Sequence, residues 1–329
     1  MKVMVIDEQQ PFSASKAASG IINPVTGRRI VRTWMIEEIM PFAVDAYTQV
    51  GSELGETLIS QCNVIDFHPT PQMKISFEKR LNEETFYLKK PAEQDQWTEF
   101  FNYDFGAGEI DPCWLVELHP FLNGWRKKLK ELDELVEEKF DFSTLDVSQT
   151  GSITYKNITA KNIIFCEGVS GFTNPYFELL PYTKMKGEAL IAEIPGLPRT
   201  NIFKQGISIV PWQDGLFWIG SSYEWDFTDP GPTAIFRERT EAQLNHWLKI
   251  PYKIVDHIAS ERPANIERRP FVGMHPSIPT VGLLNGMGAK GCSLAPYFAH
   301  QFVEHLTHNT PINPLADVQR FSRILSAKI

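Results

Sequence analysis

The chain has 329 residues, of which 43% are apolar and 22% charged, and it carries a net charge of −8. That length suits one large domain or two ordinary ones with a sizeable core. No apolar run approaches the ~20 residues of a membrane span. The opening MKVMVIDEQQ turns acidic after a short apolar run and does not read as a signal peptide. Cys62, Cys113, Cys166 and Cys292 are scattered without a CxxC pair, which predicts free thiols in a reducing, cytoplasmic setting. The acidic balance disfavours a broad nucleic-acid surface. Eight histidines show no HxxxH or HxH spacing, so no metal site is predicted. No G-x-S-x-G elbow is present, which disfavours a serine hydrolase.

In chain order, Lys2 to Glu8 reads as a buried parallel strand ending in acids. The small-residue run Ser13-Ala14-Ser15-Lys16-Ala17-Ala18-Ser19-Gly20 follows, then Ile21-Ile22. Residues 30–54 have helical spacing, with Ile39, Ala43, Tyr47 and Val50 on one face, Pro41 as a kink and Gly55 as a stop. A short helix is predicted over 71–82. A longer one is predicted over 112–135, with Asp111 as N-cap and Pro112 in its first turn. Its KKLKELDEL run reads as a solvated face. Ile163 to Phe165 form a strand that passes through Cys166-Glu167 into Gly168. Strands at 187–194, 207–211 and 216–220, with a turn at Gln213-Asp214-Gly215, predict an antiparallel sheet. A helix over 233–248 follows.

The densest pattern is 262–296. It runs from Arg262-Pro263 through Gly273-Met274-His275-Pro276 and Leu283-Leu284 to the turn Asn285-Gly286-Met287-Gly288-Ala289-Lys290-Gly291. A helix follows, with Leu294, Phe298, Phe302 and Leu306 on one stripe. A strand, a glycine turn and a helix N-terminus leave backbone N–H groups pointing outward, which suits an anion or an electron-rich carbonyl. Glycine lets a flat ligand approach the backbone closely.

The order and spacing of R-P, G-x-H-P, the strand, G-x-x-x-G and Leu294-Ala295-Pro296 resemble the C-terminal flavin-binding segment of the D-amino acid oxidase superfamily, glycine oxidase in particular. Ser13 to Gly20, the 163–168 strand, and Lys186-Gly187-Glu188 after Pro181 are similar to further motifs of that family. The resemblance covers nearly the whole chain except the family's first βα unit with G-x-G-x-x-G. It implies an α/β fold: a Rossmann-like, three-layer FAD-binding domain with a parallel sheet, and a substrate domain on an antiparallel mixed sheet. The FAD-binding domain is expected over 1–60, 136–182 and 263–329, and the substrate domain over 61–135 and 183–262. Residues 1–8, 163–167 and 281–284 are expected in one parallel sheet.

The resemblance also implies roles. FAD would be held non-covalently by Asp7 or Glu8 at the ribose, by Ser13, Ser15, Lys16 and Gly20, and by Gly168, Gly286, Gly288, Ala289, Lys290 and Gly291. Without the G-x-G-x-x-G turn, FAD binding by residues 1–329 is expected to be weak. Arg262 would fork onto a substrate carboxylate, and Lys290 with the turn amides would stabilise negative charge on the flavin. Ser208 and Tyr223 stand where glycine oxidase has tyrosine and methionine, so the pocket is reshaped; Trp212 and Trp225 are further candidates to line it. The activity implied is oxidation of a C–N bond in a small amine or amino acid. The alternatives are an FAD-free interaction protein and a flavin enzyme that modifies a tRNA base.

Overall fold

The computed structural model describes residues 2–27, 30–147 and 151–328. The chain folds as two compact units, each assembled from separated segments. The first gathers 1–16, 122–185 and 261–329; the second gathers 17–121 and 186–260.

The first unit contains two parallel ladders. Val5–Ile6 pairs in parallel with Leu135–Val136. Ile163–Phe165 pairs in parallel with Val281–Asn285, which pairs antiparallel with Phe271–Met274. The sequence predicts one parallel sheet through 1–8, 163–167 and 281–284. Instead the two ladders are separate sheets, and no described strand hydrogen-bonds to both. The predicted burial of the first strand fails for the same reason. Val3 and Met4 are exposed and Val5 and Ile6 half-buried, because a strand paired on one edge only is not enclosed. The core of this unit lies around Phe165, Phe177, Phe271, Leu283, Val318 and Phe321. The Gly291–His308 helix buries Leu294, Phe298 and Phe302 from the predicted stripe.

The second unit is built on an eight-stranded mixed sheet, with Tyr182–Glu193 next to the edge strand Lys253–Asn265. Phe217–Gly220, Ile207–Pro211 and Ile202–Gln205 follow as an antiparallel series, and Ile202–Gln205 then pairs in parallel with Val64–Phe67. Phe67, Phe101, Phe203 and Trp247 form the aromatic centre of its core. Where Pro71–Glu83 crosses the sheet, Gly108 makes room for the Phe77 ring: a Cβ there would lie 2.0 Å from it.

Two helices differ from their predicted limits, each because strand pairing wins. The first runs over Ile36–Leu54 rather than from residue 30, since Val31–Arg32 pairs with Val25–Thr26 as a short hairpin. Its end is as predicted: Gly55 takes a positive φ and donates its N–H to the Gly51 carbonyl. The second runs over Leu118–Glu131 rather than from residue 112, since Trp114–Val116 pairs with Ile21–Ile22 and Ile59–Gln61. Among the described residues no helix is long and apolar enough to cross a membrane.

Candidate active site

In the first unit, the Ile163–Phe165 and Val281–Asn285 strands run parallel, and both carboxyl ends turn at glycine. Gly168 has φ +59°, Gly286 +76° and Gly288 +56°. A crevice outside the carboxyl ends of parallel strands is where open α/β sheets hold ligands. Asn285 ties the two turns together. Its side-chain amide donates to the Gly168 carbonyl at 2.8 Å and its Oδ1 accepts from the Gly286 N–H at 2.8 Å. Gly171 allows this, since a Cβ there would meet the Asn285 amide at 2.7 Å. Glu167, in the same turn, accepts from the Asn174 amide at 2.7 Å, and burial raises its pKa. No residue pattern assigns Asn285 this role; its one signal in the sequence is an amide residue immediately before a glycine turn.

The turn continues through Met287 and Gly288 into the Gly291–His308 helix. Lys290 stands at the cap position of that helix. Around it there is room. A Cβ at Gly168 would meet nothing within 4 Å, one at Gly291 only Met287 at 3.9 Å, and one at Gly288 only Ala264. Ala289 is exposed and Lys290 half-buried, and burial lowers the Lys290 ammonium to about 8. On the neighbouring strand, the Asn265 amide donates to the Gly286 carbonyl at 3.3 Å, and Ala264 lies 3.7 Å from the Cβ position of Gly288. Side chains two apart on a strand share a face, so Arg262 projects to the same side as Ala264.

The first strand delivers its acids at the carboxyl end of the other parallel ladder. Asp7 is exposed and ion-pairs with Arg126, whose guanidinium also reaches Glu137 at 2.6 Å. Arg126 therefore bridges the ends of both strands of that ladder, a role with no signal in the sequence. Glu8 accepts from the Gln10 amide at 2.6 Å. The Ser13 carbonyl accepts from the Lys16 N–H at 3.0 Å, Ser15 is exposed, and the Lys16 ammonium donates to the Gln10 carbonyl at 2.6 Å.

In the second unit, Gly20 has φ +85°. A Cβ there would lie 2.1 Å from the Val116 carbonyl oxygen, so strand-to-strand approach accounts for this glycine. Tyr223 is 62% exposed and Trp225 52% exposed on the segment after Phe217–Gly220. Ser208 pairs with Gly220 within the sheet. Trp212 packs edge-on against His119 at 5.2 Å and, with Ala18, Leu115 and Gln213, closes a small cavity of about 10 Å³.

Glycine turns at the carboxyl ends of parallel strands, room at the Cβ positions of Gly168, Gly288 and Gly291, a helix start beside them and one half-buried ammonium fit a flat, electron-rich ring. The family model for FAD-dependent oxidoreductases, DAO, matches residues 1–305, and the chain belongs to that family. Its cofactor is FAD. The fold is similar to three solved structures, each at low identity. Iminodiacetate oxidase from a Chelativorans species is 17% identical with a TM-score of 0.73, over 96% of this chain and 92% of that one. Glycine oxidase from Geobacillus kaustophilus is 15% identical with a TM-score of 0.76, over 96% and 91%. L-alpha-glycerophosphate oxidase from Mycoplasma pneumoniae, solved with FAD bound, is 14% identical with a TM-score of 0.72, over 95% and 90%.

Proposed function

We propose that this FAD-dependent oxidoreductase oxidises a C–N bond of a small amine or amino acid. The observation that carries the reading is the meeting of the Arg262 strand with the glycine turn, through Ala264 against Gly288 and Asn265 against the Gly286 carbonyl. Bound FAD would supply the electron-pair acceptor for the substrate's C–H bond. The chain's own residues supply the rest. The N–H groups of Gly288, Ala289 and Gly291 and the Lys290 ammonium would hold negative charge at one edge of the ring, in a site whose burial strengthens the interaction. Arg262 would grip the substrate carboxylate with two parallel N–H bonds and so fix the reacting carbon. Asp7, tied to Arg126, would take the ribose hydroxyls. Iminodiacetate oxidase and glycine oxidase bear names of amino-acid chemistry, which supports this substrate class.

The interaction-protein alternative is not favoured, because family membership spans the flavin-binding segment. The direct test is anaerobic stopped-flow reduction of the FAD-loaded protein with a panel of small amines and amino acids. Bleaching of the flavin bands by at least one of them is the expected result. A panel that leaves the flavin oxidised throughout would refute the reading.

A further inference from the structure

Glu167 follows the Ile163–Phe165 strand and immediately precedes Gly168, so it stands inside one of the two glycine turns. Its side chain points inward. Oε2 accepts from the Asn174 amide at 2.7 Å and lies 3.6 Å from the Cβ position of Gly171. The Asn285 amide reaches the same Cβ position at 2.7 Å. Glu167 and Asn285 therefore meet over Gly171, and Asn285 is the residue that ties the Gly168 turn to the Gly286 turn. The Tyr182 hydroxyl is buried beside them and too poorly aligned with Asn285 to complete a hydrogen bond. All of these residues belong to the first unit.

An ionised carboxylate is poorly provided for here. It has room for about four hydrogen bonds, and Asn174 supplies one. Burial raises the Glu167 pKa, and only the Asn174 amide opposes that rise, so no cation acts on the group. The titratable groups that feel its charge are Tyr182 and the adjacent Cys166 thiol, and neither is cationic. A buried acid without a cationic partner is costly, and such groups gather where a protonation state matters. The ligand expected at these turns is itself an anion, since the pyrophosphate of FAD carries two negative charges.

We propose that Glu167 is a proton-linked gate on cofactor affinity: FAD binds the form in which this carboxyl is neutral, and ionisation of Glu167 weakens binding by setting a negative charge behind the glycine turns. Binding therefore draws a proton from solvent onto the carboxylate, and no other bond changes. The gate rests on FAD lying at the Gly168 and Gly286 turns, and not on the choice of amine.

The test is isothermal titration calorimetry of the full chain with FAD, in buffers of different ionisation heat, which counts the protons taken up on binding. Between about pH 5 and 7.5 the wild-type protein should take up a fraction of a proton, and its Kd should rise about 10-fold toward the upper end. Glu167→Gln keeps the side-chain volume and an acceptor for Asn174. It should lack that uptake and hold its Kd within about 2-fold of the wild-type acid value throughout. Lys290, which burial lowers to about 8, and His275, which burial holds below its ordinary value, titrate in both proteins, so the difference between the two belongs to Glu167. Glu167→Met removes the same charge with an apolar side chain of similar length and replaces Glu167→Gln should that variant not fold. Equal proton uptake by wild type and variant overturns the gate and leaves the site standing. So does binding by the variant that is weaker at every pH but equally pH-dependent, the result expected of a structural contact alone. FAD binding that is undetectable at every pH overturns the site at these turns and the gate with it.

Discussion

Arg262 and Lys290 are the two residues whose chemistry can be separated experimentally. Loss of a charge-assisted, two-pronged contact from a partly buried site costs about 2–5 kcal/mol. Arg262→Ala is therefore expected to lower kcat/KM by roughly 30-fold to several thousand-fold, with FAD content unchanged. Arg262→Lys should recover only part of that, because an ammonium cannot fork. Stopped-flow reduction rates across substrate concentration measure both. For Lys290, burial lowers the folded-state value to about 8 from its ordinary 10.5. Between those two values the unfolded chain binds more protons than the folded one, so stability should rise with pH through that window. Lys290→Met should flatten that rise in thermal unfolding of the FAD-free protein. It should also lower the flavin midpoint potential below about pH 8, where the ammonium is charged, and change it little well above.

At the scale of elements, glycines mark where backbones touch. Gly20 lies against the Val116 carbonyl at a positive φ, so Gly20→Ala strains both the contact and the dihedral. A loss of about 2–4 kcal/mol is expected, measured by urea unfolding of the variant. The helix limits teach the same lesson from the other side. Periodicity located the cores of the Ile36–Leu54 and Leu118–Glu131 helices. It overran their starts, because residues 31–32 and 114–116 take strand partners, close by in the chain in the first case (Val25 and Thr26) and far away in the second (Ile21–Ile22 and Ile59–Gln61). A helical pattern records which residues are apolar. It does not record that a neighbouring strand offers those N–H groups a better partner.

For the whole molecule, FAD that binds the native state and not the unfolded chain should stabilise it by ligand linkage. Free FAD at 100 times its Kd is expected to add about 2.7 kcal/mol, seen as a rise in Tm that scales with the logarithm of FAD concentration. A Tm indifferent to FAD up to millimolar levels would contradict binding. The two parallel ladders of the first unit bear on how tight that binding is. Each ends near candidate ligand residues, Asp7 on one and Gly168 with Gly286 on the other, yet no described strand joins them.

The sequence alone gave away the family, the cofactor and the strand–turn–helix around Gly286 to Gly291. Those depend on residue type and short spacing: glycine where φ must be positive, lysine at a helix start, an apolar stripe at helical period. It also placed the strand that precedes Gly168 and the two that flank Gly215, since turn chemistry is local. Tertiary structure alone decided that Asn285 links two turns more than 100 residues apart, that Arg126 bridges Asp7 and Glu137, and that Gly20 serves the sheet through Val116. It alone buried Lys186 and Glu188 together under the 221–233 segment. Side-chain hydrogen bonds and buried ion pairs depend on distances between residues far apart in the chain. A single sequence does not encode those distances in any local pattern.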